Sequence, residues 1–533
     1  MKASLFDIRS IQKFIFSGNR LKTNIGASYL VAHVYEDFLL PSIEKIFGKE
    51  NVDLYGWKEN NAGNNLSVSC RVAYIGGGNA LILYQDSVSE EKCISVAEEY
   101  TCSLLINCPG LSVGVAHGVL RTSDEKEFAE DISQLYRNLK KNQNLVSPIV
   151  SIPYTGMTML CPTNAETANY CDRDGKIKSG NEKTGRFYSQ ETFSKTIAAE
   201  KANKRLRRLF SFIGNDFDFP MNIDQLGQSS KENYIAIIHI DGNNMGKKFA
   251  NCNNIDERSR LSADISRKTE GCFGKLVKII IEKYDDYGKF LDFKVKKGKK
   301  YLPIRPLILG GDDVTFICPA KIAIILAKNF IELMNDENSV PGLGEETAKK
   351  IDCCAGIGIF KTSYPFFRGY ELAEQLCAVA KGRMRDVQKE EKVGSNWLDF
   401  ALLHGEQAPT LEQIRRQEYS GTRGNMHFGP YRVGNTNKGT KHIYDLENLL
   451  EFVDQINSKM DKLPSVSKIK ELRYVLQLDK YAAQQYMAQL KKRGEHLPEI
   501  KEWSIFEDNY FWYDGQTPYV DAIEMLKFIP AGV

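Results

Sequence analysis

Three carboxylates set the chemistry open to this chain. Asp241 ends the apolar run YIAIIHID (234–241), and Asp312 and Asp313 follow Gly310-Gly311 inside LPIRPLILGGDDVTFICP (302–319). The second segment reads as two β-runs joined by a tight glycine turn, with two adjacent acids at the tip. A strand acid opposite such a hairpin is a hard-oxygen set that selects Mg²⁺ or Mn²⁺, with substrate phosphates completing the shell. Two ions about 3.5–4 Å apart can hold the attacking and leaving oxygens of an in-line displacement. Asp241, Asp312 and Asp313 are therefore the candidate catalytic and metal-binding residues. Gly310 and Gly311 remove a Cβ from the path of a nucleotide. The turn Gly242-Asn243-Asn244-Met245-Gly246 is expected to offer backbone N–H groups to a triphosphate. Lys381, in AVAKGRMRD (378–386) with Arg383 and Arg385, is the candidate phosphate contact that neutralises leaving pyrophosphate. The structural alternatives are plain: Gly and Asp also form ordinary turns, and a helix lysine also serves as a solvated face.

These residues need elements to position them, and the chain supplies the pattern twice. SLFDI (4–8) is a strand carrying Asp7, and VAYIGGGNALILY (72–84) is a hairpin turning at Gly76-Gly77-Gly78-Asn79. Asp241 lies 234 residues after Asp7, Gly310 the same distance after Gly76, and Asp313 after Asn79. One offset for strand acid and hairpin turn marks a repeated unit. Each copy continues with a helix (about 89–106; about 320–335), a Gly-containing strand (112–120; 353–360) and a further helix. That order, β-α-β-β-α-β, predicts a ferredoxin-like fold in each half. The first copy has Gly78 and Asn79 where the second has Asp312 and Asp313, so it lacks the metal-binding pair and reads as inactive. A second nucleotide is expected to sit there, facing the active half.

The fold class is α+β: two tandem ferredoxin-like domains followed by an α-helical one. The divisions read as 1–150 for the first, 151–230 for a polar connector, 231–405 for the second and 406–533 for the helical domain. Helical spacing recurs at 445–456, 467–478 and 480–493, and the aromatic stretch 503–515 is expected to pack on them. With 533 residues the chain exceeds one core. Lys and Arg number 71 against 68 Asp and Glu, and this balance gives little encouragement to a nucleic-acid coat protein. Apolar residues at 42% and charged residues at 26% exclude a mostly disordered chain. No run of 18 apolar residues occurs, so no membrane partner is expected. The N-terminus lacks a signal-peptide apolar core, and the 12 Cys include no CxxC pair, so a reducing cytoplasm is expected.

The stretches DIRSIQKFIFSGNRLKTNIGASYLV (7–31), IDGNNMGKKF (240–249), ILGGDDVTF (308–316) and SNWLDFALLHG (395–405) resemble the large subunit of type III CRISPR effector complexes, a tandem-palm polymerase/cyclase family. The resemblance implies synthesis of cyclic oligoadenylates from ATP in antiviral defence, with 3′-OH joined to 5′-α-phosphate and pyrophosphate released. It implies two Mg²⁺ or Mn²⁺ ions on Asp241, Asp312 and Asp313, and ATP, RNA and other complex subunits as partners. Lys22 and Ser28, in LKTNIGAS (21–28), are carried over as nucleotide contacts, against the reading of a surface lysine and a helix-entry serine. Three departures stand out. None of the seven His is followed by Asp, so the family's His–Asp nuclease is not expected. The stretch between the halves offers only Cys161 and Cys171, too few for a tetrahedral zinc site. Asn243 stands where related turns carry a second acid. The alternatives are a non-catalytic RNA-binding scaffold, and a free-standing cyclase making a different cyclic nucleotide.

Overall fold

The computed structural model describes all residues except 60–67, 77, 122–124, 146–154, 173–186, 228–232, 294, 297, 392–394, 406–409, 435–441, 461 and 533. Gly77 of the first hairpin turn, parts of the expected connector (151–154, 173–186 and 228–230) and residues 406–409 just past the expected boundary lie outside the described residues.

In the first half, β1 (Lys2–Arg9), β2 (Val52–Asp53), β3 (Cys70–Gly76), β4 (Asn79–Tyr84) and β5 (Ser112–Val119) form a sheet in the order β2-β3-β4-β1-β5. Helices α1 (Ile11–Phe16), α2 (Leu21–Ala32), α3 (Glu90–Asn107) and α4 (Glu125–Gln143) connect and cover it. After α5 (Gln190–Leu209) the second half begins with β6 (Tyr234–Gly242), α6 (Met245–Ala250) and α7 (Ile255–Glu282). It continues through β7 (Arg305–Gly310), β8 (Asp313–Pro319), α8 (Ala320–Asn335), β9 (Cys353–Lys361), α9 (Phe366–Glu391) and β10 (Asn396–Leu402). The second sheet runs β7-β8-β6-β9-β10-β11, with β11 at Tyr431–Val433. Both halves thus place the hairpin beside the acid-bearing strand and the later strand on its other side. The helix starts follow from local chemistry: Ser89 and Asn254 each accept a backbone N–H at the start of α3 and α7.

The repeat extends to backbone detail. Helices α1 and α6 begin and end 234 residues apart, as α2 and α7 begin. The residue before each short helix, Ser10 or Asn244, has positive φ (53° and 61°). Each hairpin carries an irregularity at the same repeat position, between Val72 and Tyr74 and between Pro306 and Ile308. An extra residue in one strand drops out of the ladder there, and Pro306, with no N–H to donate, suits such a site. The freed carbonyls are used reciprocally between the halves. Ser259 on α7 donates to the carbonyl of Ala73, and Ser28 on α2 donates to that of Leu307. Each half therefore closes the other's bulge with a helix hydroxyl.

Strand β6 is apolar along most of its length because helices pack on it: Ile235, Ala236, Ile237, Ile238 and Ile240 are fully buried, with α8 and α9 in contact with the strand. The C-terminal segment holds α10 (Leu446–Asn457), α11 (Val466–Gln477), α12 (Lys480–Lys492) and α13 (Tyr519–Met525). It is not purely helical, since β11 extends the second sheet. His427 ties it down: Nε2 lies 2.8 Å from Asp399 on β10 and Nδ1 lies 2.8 Å from Asp521 on α13. In the aromatic stretch, Trp503 packs against Phe452 and Tyr519. Among the described residues no helix is long and apolar enough to cross a membrane.

Candidate active site

The antiparallel register sets Asp313 directly across from Asp241 and Thr315 across from His239. Side chains two residues apart share a face of a strand, so His239, Asp241, Asp313 and Thr315 stand on one face, with α9 packed against the sheet. In the first half the same register sets Asn79 across from Asp7. The turn is closed identically in both copies: Gly242 N–H donates to the Asp312 carbonyl at 3.3 Å, and Ile8 N–H to the Gly78 carbonyl at 3.1 Å. Glycine is required at 242, where a Cβ would sit 2.8 Å from Asp312 Cβ. Gly311 is required by its φ of +60°, whereas a Cβ at Gly310 or Gly246 would meet open space.

The acids are crowded and partly desolvated. Burial, then the neighbouring Asp241 charge, raises the Asp312 carboxyl to about 6. The same two causes, with Asp312 added, push Asp313 well above the usual carboxylate range. Lys381, on α9, donates to Asp241 Oδ2 and lies 3.5 Å from the Gly242 carbonyl. Burial works against its charge, yet Asp241 carries its pKa above the ordinary lysine value. The counterpart in the first half is neutral: Gln143 Nε2 donates to Asp7 Oδ2. Asp313 Oδ1 is buried without a completed hydrogen bond, and His239 Nδ1 lies 3.3 Å from it. Burial lowers His239 to about 4, so its ring is neutral at neutral pH.

Two cavities meet at this point and share Gly246 and Asp312. The larger, about 890 Å³, is lined by Asp241, Asp312, the turn 242–247 and the α9 residues Lys381, Arg385 and Lys389. The smaller, about 570 Å³, opens between the halves and is lined by Tyr74, Phe128, Ile132 and Tyr136 from the first and by Phe249 and Ile265 from the second. One is basic and suits phosphates; the other is largely apolar and has the size and lining of a small-molecule site.

Gly242, Asn243, Asn244, Met245 and Gly246 all line the larger cavity, but the turn is not an open amide cradle. Gly242 N–H is used as above, and Asn243 N–H donates to the Asp352 carbonyl at 2.7 Å. The hairpin and the loop before β9 close on this turn, which sequence spacing does not show. Gly311 lines the smaller cavity; Asp313 and Gly310 line neither. The structure does not bring Lys22 and Ser28 to the acids. Lys22 Nζ pairs with Glu200 at 2.9 Å, and the Ser28 hydroxyl closes the Leu307 bulge. Arg383 is engaged as well, its guanidinium 4.5 Å from the Tyr444 ring centre. Cys161 and Cys171 are free thiols. His239, Tyr370 and Glu374 escaped the sequence reading. Glu374 faces the acids from α9, and burial together with Glu371 and Asp241 raises its carboxyl.

Residues 234–388 match the family model described as Cas10/Cmr2, second palm domain. The resemblance read from the motifs thus holds over the half that carries the acids. Solved structures similar to the chain include a Csm1-Csm4 cassette in complex with pppApApA, at 14% identity over 98% of this chain and 69% of that chain, TM-score 0.48. A Csm1-Csm4 cassette in complex with cA4 gives 13% identity, 99% and 69% coverage and a TM-score of 0.47. Csm1 in T. onnurineus gives 13%, 98% and 69%, with a TM-score of 0.47. A search of curated proteins finds no match.

Proposed function

We propose that this chain is a metal-dependent nucleotidyltransferase that joins ATP into cyclic oligoadenylate, acting within a type III CRISPR effector assembly. The observation that carries the reading is the convergence of Asp241, Asp312 and Asp313 by strand register beside two adjoining cavities, in a segment matching the Cas10/Cmr2 second palm domain.

The donor set fits Mg²⁺ or Mn²⁺, taken as two ions. The three carboxylates crowd together with Lys381 on Asp241. Burial and then the Asp241 charge raise Asp312 and Asp313, so a cation would relieve both, and Asp313 Oδ1 has no completed hydrogen bond. No group of three or more His, Cys, Asp or Glu among the described residues forms a ready cage. Hard cations in such sites are held by one or two carboxylates, with substrate phosphates and water completing the shell. When bound, such ions would polarise the α-phosphate and lower the pKa of the attacking 3′-hydroxyl.

The protein's own groups do the rest. Lys247, Lys381, Arg385 and Lys389 hold the triphosphate in the larger cavity. Lys381 releases Asp241 as substrate enters and takes up the charge that develops on leaving pyrophosphate. A nucleobase lies among the aromatic rings of the smaller cavity, and contacts from both halves hold the acceptor ribose near the α-phosphate. Holding the two reactants in this geometry replaces a bimolecular encounter with a positioned one.

The test is release of pyrophosphate from ATP with Mg²⁺ or Mn²⁺. The native chain is expected to release it, and Asp312→Ala/Asp313→Ala to lose at least about 10²-fold, as does removal of one strong electrostatic contact elsewhere. Unchanged release by the double variant would place the chemistry at another site.

A further inference from the structure

We propose that His239 is a positioning residue for Asp313: its ring, held by Thr315 and by a Tyr370–Phe16 stack that crosses between the halves, fixes the carboxylate for cation binding. The inference rests on the proposed function, in which the three acids hold Mg²⁺ or Mn²⁺.

The contacts form a continuous set. His239 is 6% exposed, and its Nδ1 lies 3.1 Å from Thr315 Oγ1 and 3.3 Å from Asp313 Oδ1. Tyr370, from α9, meets the imidazole edge to face, with centroids 5.5 Å apart at 70°. Phe16, from the first half, stacks on Tyr370 at 4.3 Å and 19°. Asn19 Oδ1 anchors the same contact by accepting the Phe366 N–H at 2.9 Å.

The repeat supplies an internal control. At the 234-residue offset His239 corresponds to Leu5, Thr315 to Leu81 and Asp313 to Asn79, and Leu5 and Leu81 pair directly, both buried. The last helices align through the side chains that reach the strand acids, Gln143 to Asp7 and Lys381 to Asp241, an offset of 238. Tyr370 then corresponds to Ile132, and Phe16 to Ala250. Both of those line the smaller cavity, so the space left open on one side of the repeat is filled by Phe16 and Tyr370 on the other. A sheet core at this position is satisfied by Leu against Leu. The polar set of His, Thr and Tyr stands in the half that bears the carboxylates.

The physical role follows. A carboxylate among like charges has no fixed rotamer unless a donor holds one oxygen, and ligand-orienting groups of this kind are worth about 10–100-fold in metal affinity. With its proton on Nδ1, the ring stands 3.1 Å from Thr315 Oγ1 and 3.3 Å from the unpaired Asp313 Oδ1, so a small turn of the imidazole completes the bond to Asp313 and fixes that oxygen as a cation arrives.

The experiment titrates Mn²⁺ into the full chain and follows the electron paramagnetic resonance signal of the free ion, with thermal melting as the folding check. His239→Leu, the residue of the other repeat, should weaken Mn²⁺ binding about tenfold. His239→Asn, whose amide can donate in place of Nδ1, should restore most of it. Thr315→Val, isosteric and lacking the hydroxyl, should weaken binding too, and serves as the test should His239→Leu fail to fold. If both variants bind Mn²⁺ as the native chain does while Asp313→Asn loses it, the positioning role is wrong and the metal reading stands. If the native chain binds no Mn²⁺ either alone or with ATP present, or Asp313→Asn binds it equally well, both are wrong.

Discussion

Asp312 meets two opposed demands, since it must be ionised to hold a cation yet sits where ionisation is costly. Its folded pKa of about 6 exceeds the ordinary 3.8, so between those values the folded state binds more protons than the unfolded one. Raising the pH through that window therefore removes stability, and the loss is complete above about 6. In chelator, Asp312→Asn should melt above the native chain at pH 8, with the gap closing by pH 4. A native chain that melts higher than the variant at pH 8 would show that Asp312 is not held against its charge. The acids were legible because an acid at a strand end and a Gly-Gly-Asp-Asp turn stand out against apolar neighbours. His239 was not, because one histidine inside a buried strand has no signal until the register sets it across from Thr315 and beside Asp313.

At the scale of elements, the strand-hairpin pairing was readable from a single offset and the order of helices from apolar spacing. The bulges were not, because one residue dropping out of a ladder leaves an alternation of apolar residues looking continuous. Strand β11 was missed for a related reason: three residues among loops and helices carry too little pattern, and only pairing with β10 makes them a strand. The packing of α9 on β9 is what places Lys381 and Tyr370, and it depends on Gly356. A Cβ there would fall 1.9 Å from the Ala373 carbonyl oxygen and 2.4 Å from Cys377 N, both backbone atoms. Gly356→Ala should cost about 1–3 kcal/mol by overpacking and should lower activity as well, since α9 must move off the sheet. Denaturant unfolding with an unchanged midpoint would contradict this.

Across the whole molecule the two halves bind each other by the same device used twice, and the three converging acids belong to one of them. The resemblance offered Ser28 as a nucleotide contact beside the reading of a structural serine. Its hydroxyl bonds the Leu307 carbonyl, 279 residues away, a relation that no local motif carries. Ser28→Ala and Ser259→Ala should each cost about 0.5–1.5 kcal/mol, and the double variant about their sum, because the two contacts share no partner. Equilibrium unfolding of the three variants checks this, and a double variant no weaker than either single would count against reciprocal bulge closure. The C-terminal segment joins the same body through β11 and the His427 bridge between Asp399 and Asp521, so the acid-bearing sheet and the helical region hold a common buried ion network.

The most direct measurement is mass spectrometry of the products formed from each nucleoside triphosphate with Mg²⁺ or Mn²⁺, with and without single-stranded RNA, for the native chain and for Asp312→Ala/Asp313→Ala. Cyclic oligoadenylate from ATP that disappears in the double variant is the expected result. No oligonucleotide from any triphosphate under either condition, or the same product from the double variant, would contradict the proposed activity.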